Sequence, residues 1–293
     1  MSKRRRRRRR HPFLSFFALA LIALAVWSLW GNTALEGNEL TFSSGNVPVA
    51  LDGFVIAHVS DLHDAVLGKD NSDIVSMLKE RRPDIIVLTG DMVDSNRGNT
   101  ERSVALMEKL TRIAPVYYVN GNHEAALSYS EYQRLVQGFT AAGVNVLEDR
   151  SELISFRGET FQLIGLRDVG FIPGSIGEKR QQMQNALYFL ERDDLFSLVL
   201  AHRPEFFDNY AACGVDLVLC GHAHGGQFRL PLIGGVYSPG QGLWPKYDSG
   251  LYNMGDTSMI VSRGLGNSNF PLRVNNRPEI LFITLRSAGR SAV

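Results

Sequence analysis

The chain has 293 residues, 44% hydrophobic and 21% charged, which is enough to bury one sizeable core and too apolar for a disordered or fibrous polymer. Its formal net charge of +1 hides an asymmetry: Lys3 and the run Arg4 to Arg10 supply eight of the 31 basic residues, leaving 23 against 30 acidic ones. The remainder therefore carries about −7, which argues against nucleic-acid binding, because that affinity rests on Lys and Arg set against phosphates.

Residues 1–12 form a basic tail, and the arginine run in it is suited to anionic lipid headgroups. Next comes Phe13 to Trp30, free of charge and interrupted only by Ser15 and Ser28. At ~1.5 Å per residue this stretch reaches about 27 Å, close to the roughly 30 Å of a bilayer core. Trp27 and Trp30 stand at its far end, where indole rings favour the interface. The pattern predicts a transmembrane helix over 13–30, with the arginines cytoplasmic and everything after residue 31 on the other face. A cleaved secretory signal and a twin-arginine export signal are the alternatives, the second weakened by the extra residue that Pro12 inserts.

Residues 31–50 are rich in Gly, Asn and Ser and read as a linker. From residue 51 to 286 short apolar runs alternate with amphipathic stretches. Strands are expected at Phe54–Val59, Asp84–Thr89, Val116–Val119, Phe161–Leu166, Phe196–Ala201, Asp216–Cys220, Ser258–Val261 and Ile280–Thr284. Helices are expected near 71–81, 101–112, 130–142, 180–191 and 204–212. This succession argues for a layered α/β fold with its working loops at strand ends. Cys213 and Cys220 lack the spacing of a zinc knuckle or redox pair and read as small buried hydrophobes.

The strand ends carry the chemistry. They run into Ser60-Asp61-Leu62-His63, Gly90-Asp91-Met92-Val93-Asp94, Asn120-Gly121-Asn122-His123-Glu124, Ala201-His202-Arg203-Pro204 and Gly221-His222-Ala223-His224. Of six histidines after residue 50, five lie in these exits, and only His58 sits inside an apolar run as a structural residue. Imidazole and carboxylate together suit borderline cations such as Mn²⁺, Zn²⁺ or Fe, whereas Ca²⁺ and Mg²⁺ prefer oxygen alone. Two cations ~3.5–4 Å apart need an anion between them, and Asp91 is the choice for that bridge.

The blocks D-L-H, G-D-M-V-D, G-N-H-E, a later lone H and G-H-A-H, in this order, resemble the signature of the calcineurin-like metallophosphoesterase superfamily. The resemblance covers about residues 52–286 and implies a four-layer αββα sandwich and two divalent metal ions, Mn²⁺ foremost, with Zn²⁺ or Fe as alternatives. It implies one metal on Asp61, His63, Asp91 and His224, and a second on Asp91, Asn122, His202 and His222. His123 is implied to face the substrate phosphate and assist the leaving oxygen, Asp94 to orient His123, and Glu124 to support the ligands from behind. Gly225-Gly226-Gln227, Leu230-Pro231 and Arg263-Gly264-Leu265-Gly266 are similar to a bacterial group with an N-terminal export or membrane signal. That group includes YkuE- and YaeI-like phosphodiesterases and a chlamydial membrane-bound UDP-2,3-diacylglucosamine hydrolase branch.

The function expected is a metal-dependent phosphodiesterase or pyrophosphatase on an envelope or lipid-linked substrate, single-pass in a bacterial inner membrane with its body extracytoplasmic. A phosphomonoesterase on soluble esters and a non-catalytic metal-binding scaffold are the competing readings. Arg203 and Arg263 are candidates for a second phosphate or a polar head, against an ordinary salt bridge for each. Phe228 to Tyr247 reads either as a packed loop or as a lip for acyl chains or the bilayer. The sequence leaves the oligomeric state open.

Overall fold

The computed structural model describes residues 12–96, 100–267 and 270–289, so the arginine run lies outside the described residues. In chain order the helices are α1 (Pro12–Gly31), α2 (Ser72–Arg81), α3 (Thr100–Leu110), α4 (Asn122–Ala125), α5 (Tyr129–Ala141), α6 (Ile176–Leu190) and α7 (Phe207–Ala211). The strands begin with β1 (Glu36–Ser44), β2 (Val55–Val59), β3 (Ile85–Thr89), β4 (Val116–Val119), β5 (Asn145–Val146), β6 (Arg150–Phe156), β7 (Glu159–Gly165), β8 (Ser197–Leu200) and β9 (Leu217–Cys220). Four two-residue strands follow, β10 (Arg229–Leu230), β11 (Gly234–Gly235), β12 (Tyr237–Ser238) and β13 (Gly242–Leu243), then β14 (Gly250–Met254), β15 (Thr257–Val261) and β16 (Glu279–Ser287).

Every residue of β3 is buried, as a strand covered on both faces requires. Ile85 and Val87 pack with Phe161, Leu198, Leu200 and Leu219 of a second sheet, whereas Ile86 and Leu88 pack with Leu78, Leu106 and Phe139 of α2, α3 and α5. On the second sheet Leu198 and Leu200 face the first, while Val199 turns outward to Met183, Leu187 and Phe207 of α6 and α7. The two-residue period of the strands thus generates helix, sheet, sheet, helix.

Both sheets are mixed and six-stranded, ordered β1-β16-β2-β3-β4-β5 and β14-β15-β9-β8-β7-β6. β2, β3 and β4 run parallel, with Ile56 opposite Ile85 and Ile86 opposite Val116. β7, β8, β9 and β15 are likewise parallel neighbours. The exits of β2, β3, β4, β8 and β9 are the five segments singled out in the sequence, so the two sheets contribute to one edge.

The linker expected over 31–50 is corrected: Glu36–Ser44 is a strand paired in parallel with β16, Glu36 opposite Glu279. Only Leu40 and Phe42 of this strand reach the inter-sheet core, so its sequence lacks a continuous apolar run. β6 and β14 escaped notice for the same reason, since each alternates exposed and half-buried positions at a sheet margin. Among the described residues no helix is long and apolar enough to cross a membrane. Cys220 is buried as expected, and Cys213 is only partly so.

Candidate metal centre

The loops that carry the candidate ligands are bent in an unusual way. Asp61 (φ 52°), His63 (φ 47°), Asp91 (φ 54°), His222 (φ 64°) and His224 (φ 48°) all occupy the left-handed region, at a cost of roughly 1 kcal/mol or more each. Neighbouring contacts hold them there. The buried Glu124 carboxylate accepts the backbone N–H of Asp91 (2.8 Å), Met92 (2.7 Å), Val93 (3.2 Å) and Gly121 (2.7 Å), locking two strand exits together. Gly221 packs so closely on Ser60 and Asp61 that any side chain there would strike their oxygen atoms, and Gly121 does the same against Asp91.

These constraints bring together all seven residues proposed as ligands. His202 Nε2 stands 3.2 Å from Asp91 Oδ2, 3.1 Å from Asn122 Oδ1 and 3.1 Å from His222 Nδ1. On the other side His63 Nε2 lies 3.2 Å from His224 Nε2 and 3.6 Å from the same Asp91 oxygen, and His224 Nε2 lies 3.6 Å from Asp61 Oδ1. Two imidazole nitrogens at about 2.1 Å from one cation and at right angles to each other are about 3 Å apart. The two histidine pairs show that separation, and Asp91 Oδ2 belongs to both groups. His222 Nε2 and His63 Nδ1 have no hydrogen-bond partner among the described residues, although both rings are buried.

Burial disfavours charge on these rings, drawing His63 down to about 3 and His222 and His224 well below the usual histidine range. All three are therefore neutral and offer lone pairs. His202 behaves oppositely: burial opposes its charge, but the adjacent Asp91 outweighs it and lifts the ring to about 10. Burial likewise works against ionised Asp91, yet His202 and His63 hold its carboxyl well below the ordinary value. The imidazole of His202 and the carboxylate of Asp91 thus each favour charge on the other across their 3.2 Å contact. Orientation of His202 comes from its other nitrogen, 2.7 Å from the Thr89 carbonyl.

His123 borders the cluster, its ring 4.4 Å from that of His63. Asp94 Oδ1 is 3.6 Å from His123 Nδ1, but the Ser95 N–H and hydroxyl are closer at 3.2 Å each, a contact the sequence reading missed. Arg203 and Arg263, candidates for substrate contact or for ordinary salt bridges, both form ion pairs. Arg203 binds Asp168 through Nε (2.7 Å) and Nη2 (3.2 Å), and Arg263 binds Glu279 (2.7 Å) and Glu36 (2.8 Å). Also unforeseen were Glu205, 3.8 Å from His222 Nε2, and the fully buried Arg273, 3.4 Å from His224 Nδ1. Arg273 reaches the site from a segment with no ligand in it, whereas Glu205 stands three residues after His202 and was passed over because it meets His222 of another strand exit.

The calcineurin-like phosphoesterase profile matches residues 54–226. The uncharacterized metallophosphoesterase YkuE of Bacillus subtilis is 32% identical over 86% of this chain and 86% of its own. Phosphodiesterase YaeI of Escherichia coli is 30% identical over 73% of this chain and 74% of its own, and the metallophosphoesterase YkoQ of B. subtilis is 28% identical over 78% and 82%.

Proposed function

Because the chain belongs to the calcineurin-like phosphoesterase family and is a metal-dependent phosphoesterase, we propose that it cleaves the phosphodiester or pyrophosphate link of a lipid-linked envelope substrate, one resembling UDP-2,3-diacylglucosamine. The observation that carries the lipid reading is apolar surface exposed on the segments that follow the His224 block. Leu232 and Ile233 at the turn between β10 and β11, Leu243 and Trp244 at the end of β13, and Phe270 are all exposed. Arg229, at the base of the first turn, donates to Gly225 O (2.7 Å) next to His224. Exposed apolar side chains on segments that follow a polar site favour acyl chains or a bilayer. The phosphodiesterase name of YaeI supports cleavage of a diester.

In this reading Asp61, His63, Asp91 and His224 hold one divalent cation and Asp91, Asn122, His202 and His222 the other, Mn²⁺ being the metal of choice and Zn²⁺ or Fe the alternatives. When bound, such a pair supplies Lewis-acid polarisation of phosphoryl oxygens and draws a nucleophile from water near neutral pH. The chain's own part is orientation and proton handling. The Ser95 N–H donates to His123 Nδ1, which places the proton of the neutral ring on Nε2, the atom that would deliver it to the departing oxygen. Asp94 Oδ1 borders the same nitrogen at 3.6 Å and flanks the ring.

The same reading takes residues 13–30 as a single-pass anchor in a bacterial inner membrane, with the body extracytoplasmic; the support is the uncharged run behind the arginine block. The test is to incubate the purified chain with a lipid extract and Mn²⁺ and analyse the released phosphorus. Release of a phosphorylated head group is the expected result. Cleavage of water-soluble esters alone would overturn the lipid assignment, and a preference for p-nitrophenyl phosphate over its bis ester would overturn diesterase action.

A further inference from the structure

Arg273 is among the largest fully buried side chains of the protein, yet no carboxylate pairs with it among the described residues. Its guanidinium is spent on the candidate metal centre. Nη1 donates to Arg263 O (2.7 Å), Nε donates to Gly266 O (3.2 Å) and Asn267 Oδ1 (3.1 Å), and Nη2 also reaches Gly266 O. Nη2 stands 3.4 Å from His224 Nδ1, on the far side of the ring from the nitrogen that meets His63 and Asp61. The loop it grips is in turn bonded to the Asp61 segment, through Leu265 N to Ser60 O (3.0 Å) and Gly266 N to Asp61 O (2.6 Å). One side chain therefore braces two ligands of the same proposed cation.

The backbone of Arg273 is held from an unexpected direction. Asn32, just past the end of α1, accepts the Arg273 N–H through Oδ1 (2.7 Å) and donates through Nδ2 to its carbonyl (3.0 Å). Asn267 Nδ2 bonds the same Asn32 oxygen (3.0 Å), and the Ser28 hydroxyl in the last turn of α1 adds a bond to the Arg273 carbonyl (3.1 Å). A single amide thus satisfies both the N–H and the C=O of the residue that braces His224.

We infer that Asn32 and Arg273 form a strut linking the end of the N-terminal helix to the metal centre, so that the helix end positions His224 and Asp61 for cation binding. This rests on the two-metal reading above. The helix end is then a working part of the site, and a chain cut at its C-terminal end would hold the first cation poorly. Both are positioning residues, and their removal shows in cation affinity first.

The experiment measures Mn²⁺ binding calorimetrically on the full chain in detergent. Asn32→Ala is expected to weaken one of two Mn²⁺ sites about tenfold and leave the other in place, as loss of a residue supporting a ligand does. Arg277→Gln is the control: Arg277 bonds Ala34 O, Leu35 O and Glu36 in the same segment but does not touch Arg273, so its loss should change affinity by less than about twofold. Unchanged affinity in Asn32→Ala, or equal losses in both variants, would overturn the strut. Should Asn32→Ala fail to fold, Arg273→Lys is measured in its place and unchanged affinity has the same meaning. A wild-type chain that binds no divalent cation would sink the two-metal reading itself, whereas intact binding with indifferent variants sinks only the strut.

Discussion

Among the described residues Asp91 Oδ2 is the one carboxylate oxygen within 4 Å of histidine nitrogens from both halves of the cluster. Asp91→Asn should therefore strip both cations, seen as metal content by elemental analysis, and lower kcat/KM by at least about 10³-fold. His123→Gln should keep both cations and lower kcat by about 10²–10³-fold, the share usual for proton transfer. His58 serves stability instead. It is buried, its Nε2 lies 2.7 Å from the Thr89 hydroxyl, and burial drops it to about 3. An unfolded histidine takes up a proton below pH 6.5 while the folded one resists until about 3, so stability falls as pH drops through that window. In urea titrations of metal-free protein, His58→Leu should remove about 2 kcal/mol of the loss between pH 6.5 and 5; an unchanged pH dependence would contradict this. The ligand residues were legible because ligand-type side chains followed each apolar run. Ser95, Glu205 and Arg273 were not, since each is defined by the ring it meets on another segment, even where, as for Ser95 and Glu205, it directly follows a ligand block.

At the level of elements, runs that are apolar on both faces declare themselves, and β3, β4, β8 and β9 lie within a residue of their expected bounds. Strands with only one apolar face at a sheet margin do not, which is why Glu36–Ser44 reads as a linker until Glu279–Ser287 is set beside it. The segment Phe228 to Tyr247 proves to be both packed and displayed: Tyr247 is buried against Phe207, while Leu232 (φ 68°) and Trp244 (φ 59°) hold exposed side chains on left-handed backbone. Leu232→Asp with Trp244→Ser should change thermal stability by about 0.5 kcal/mol or less, as exposed positions do. The pair should cut cleavage of a vesicle-borne substrate at least about tenfold, and bis-p-nitrophenyl phosphate hydrolysis should stay level. Equal losses on both substrates would tie these tips to the chemistry instead of the lipid.

For the molecule as a whole, five left-handed ligand residues and a set of buried imidazoles are tolerable only if something rewards them. Cation binding to the folded state alone adds about 2.7 kcal/mol per site at a hundredfold excess over Kd. Chelation should therefore lower the unfolding temperature by about 10 °C or more in calorimetry, given the size of this domain. A difference under a few degrees would mean the scaffold carries its strain unaided. A layered α/β fold was legible from strand period and helix spacing, and four layers from the family resemblance; the order of strands was not, because β16, the last strand in sequence, enters between β1 and β2. That insertion has a consequence for biosynthesis. Asn38 and Glu279, which share a hydrogen bond, are 241 positions apart, so the first sheet has a gap beside β2 until synthesis has passed β16. During translation the nascent chain exposes an unpaired apolar edge, and a chaperone or translocase that shields it until the last strand arrives would decide the yield of active protein.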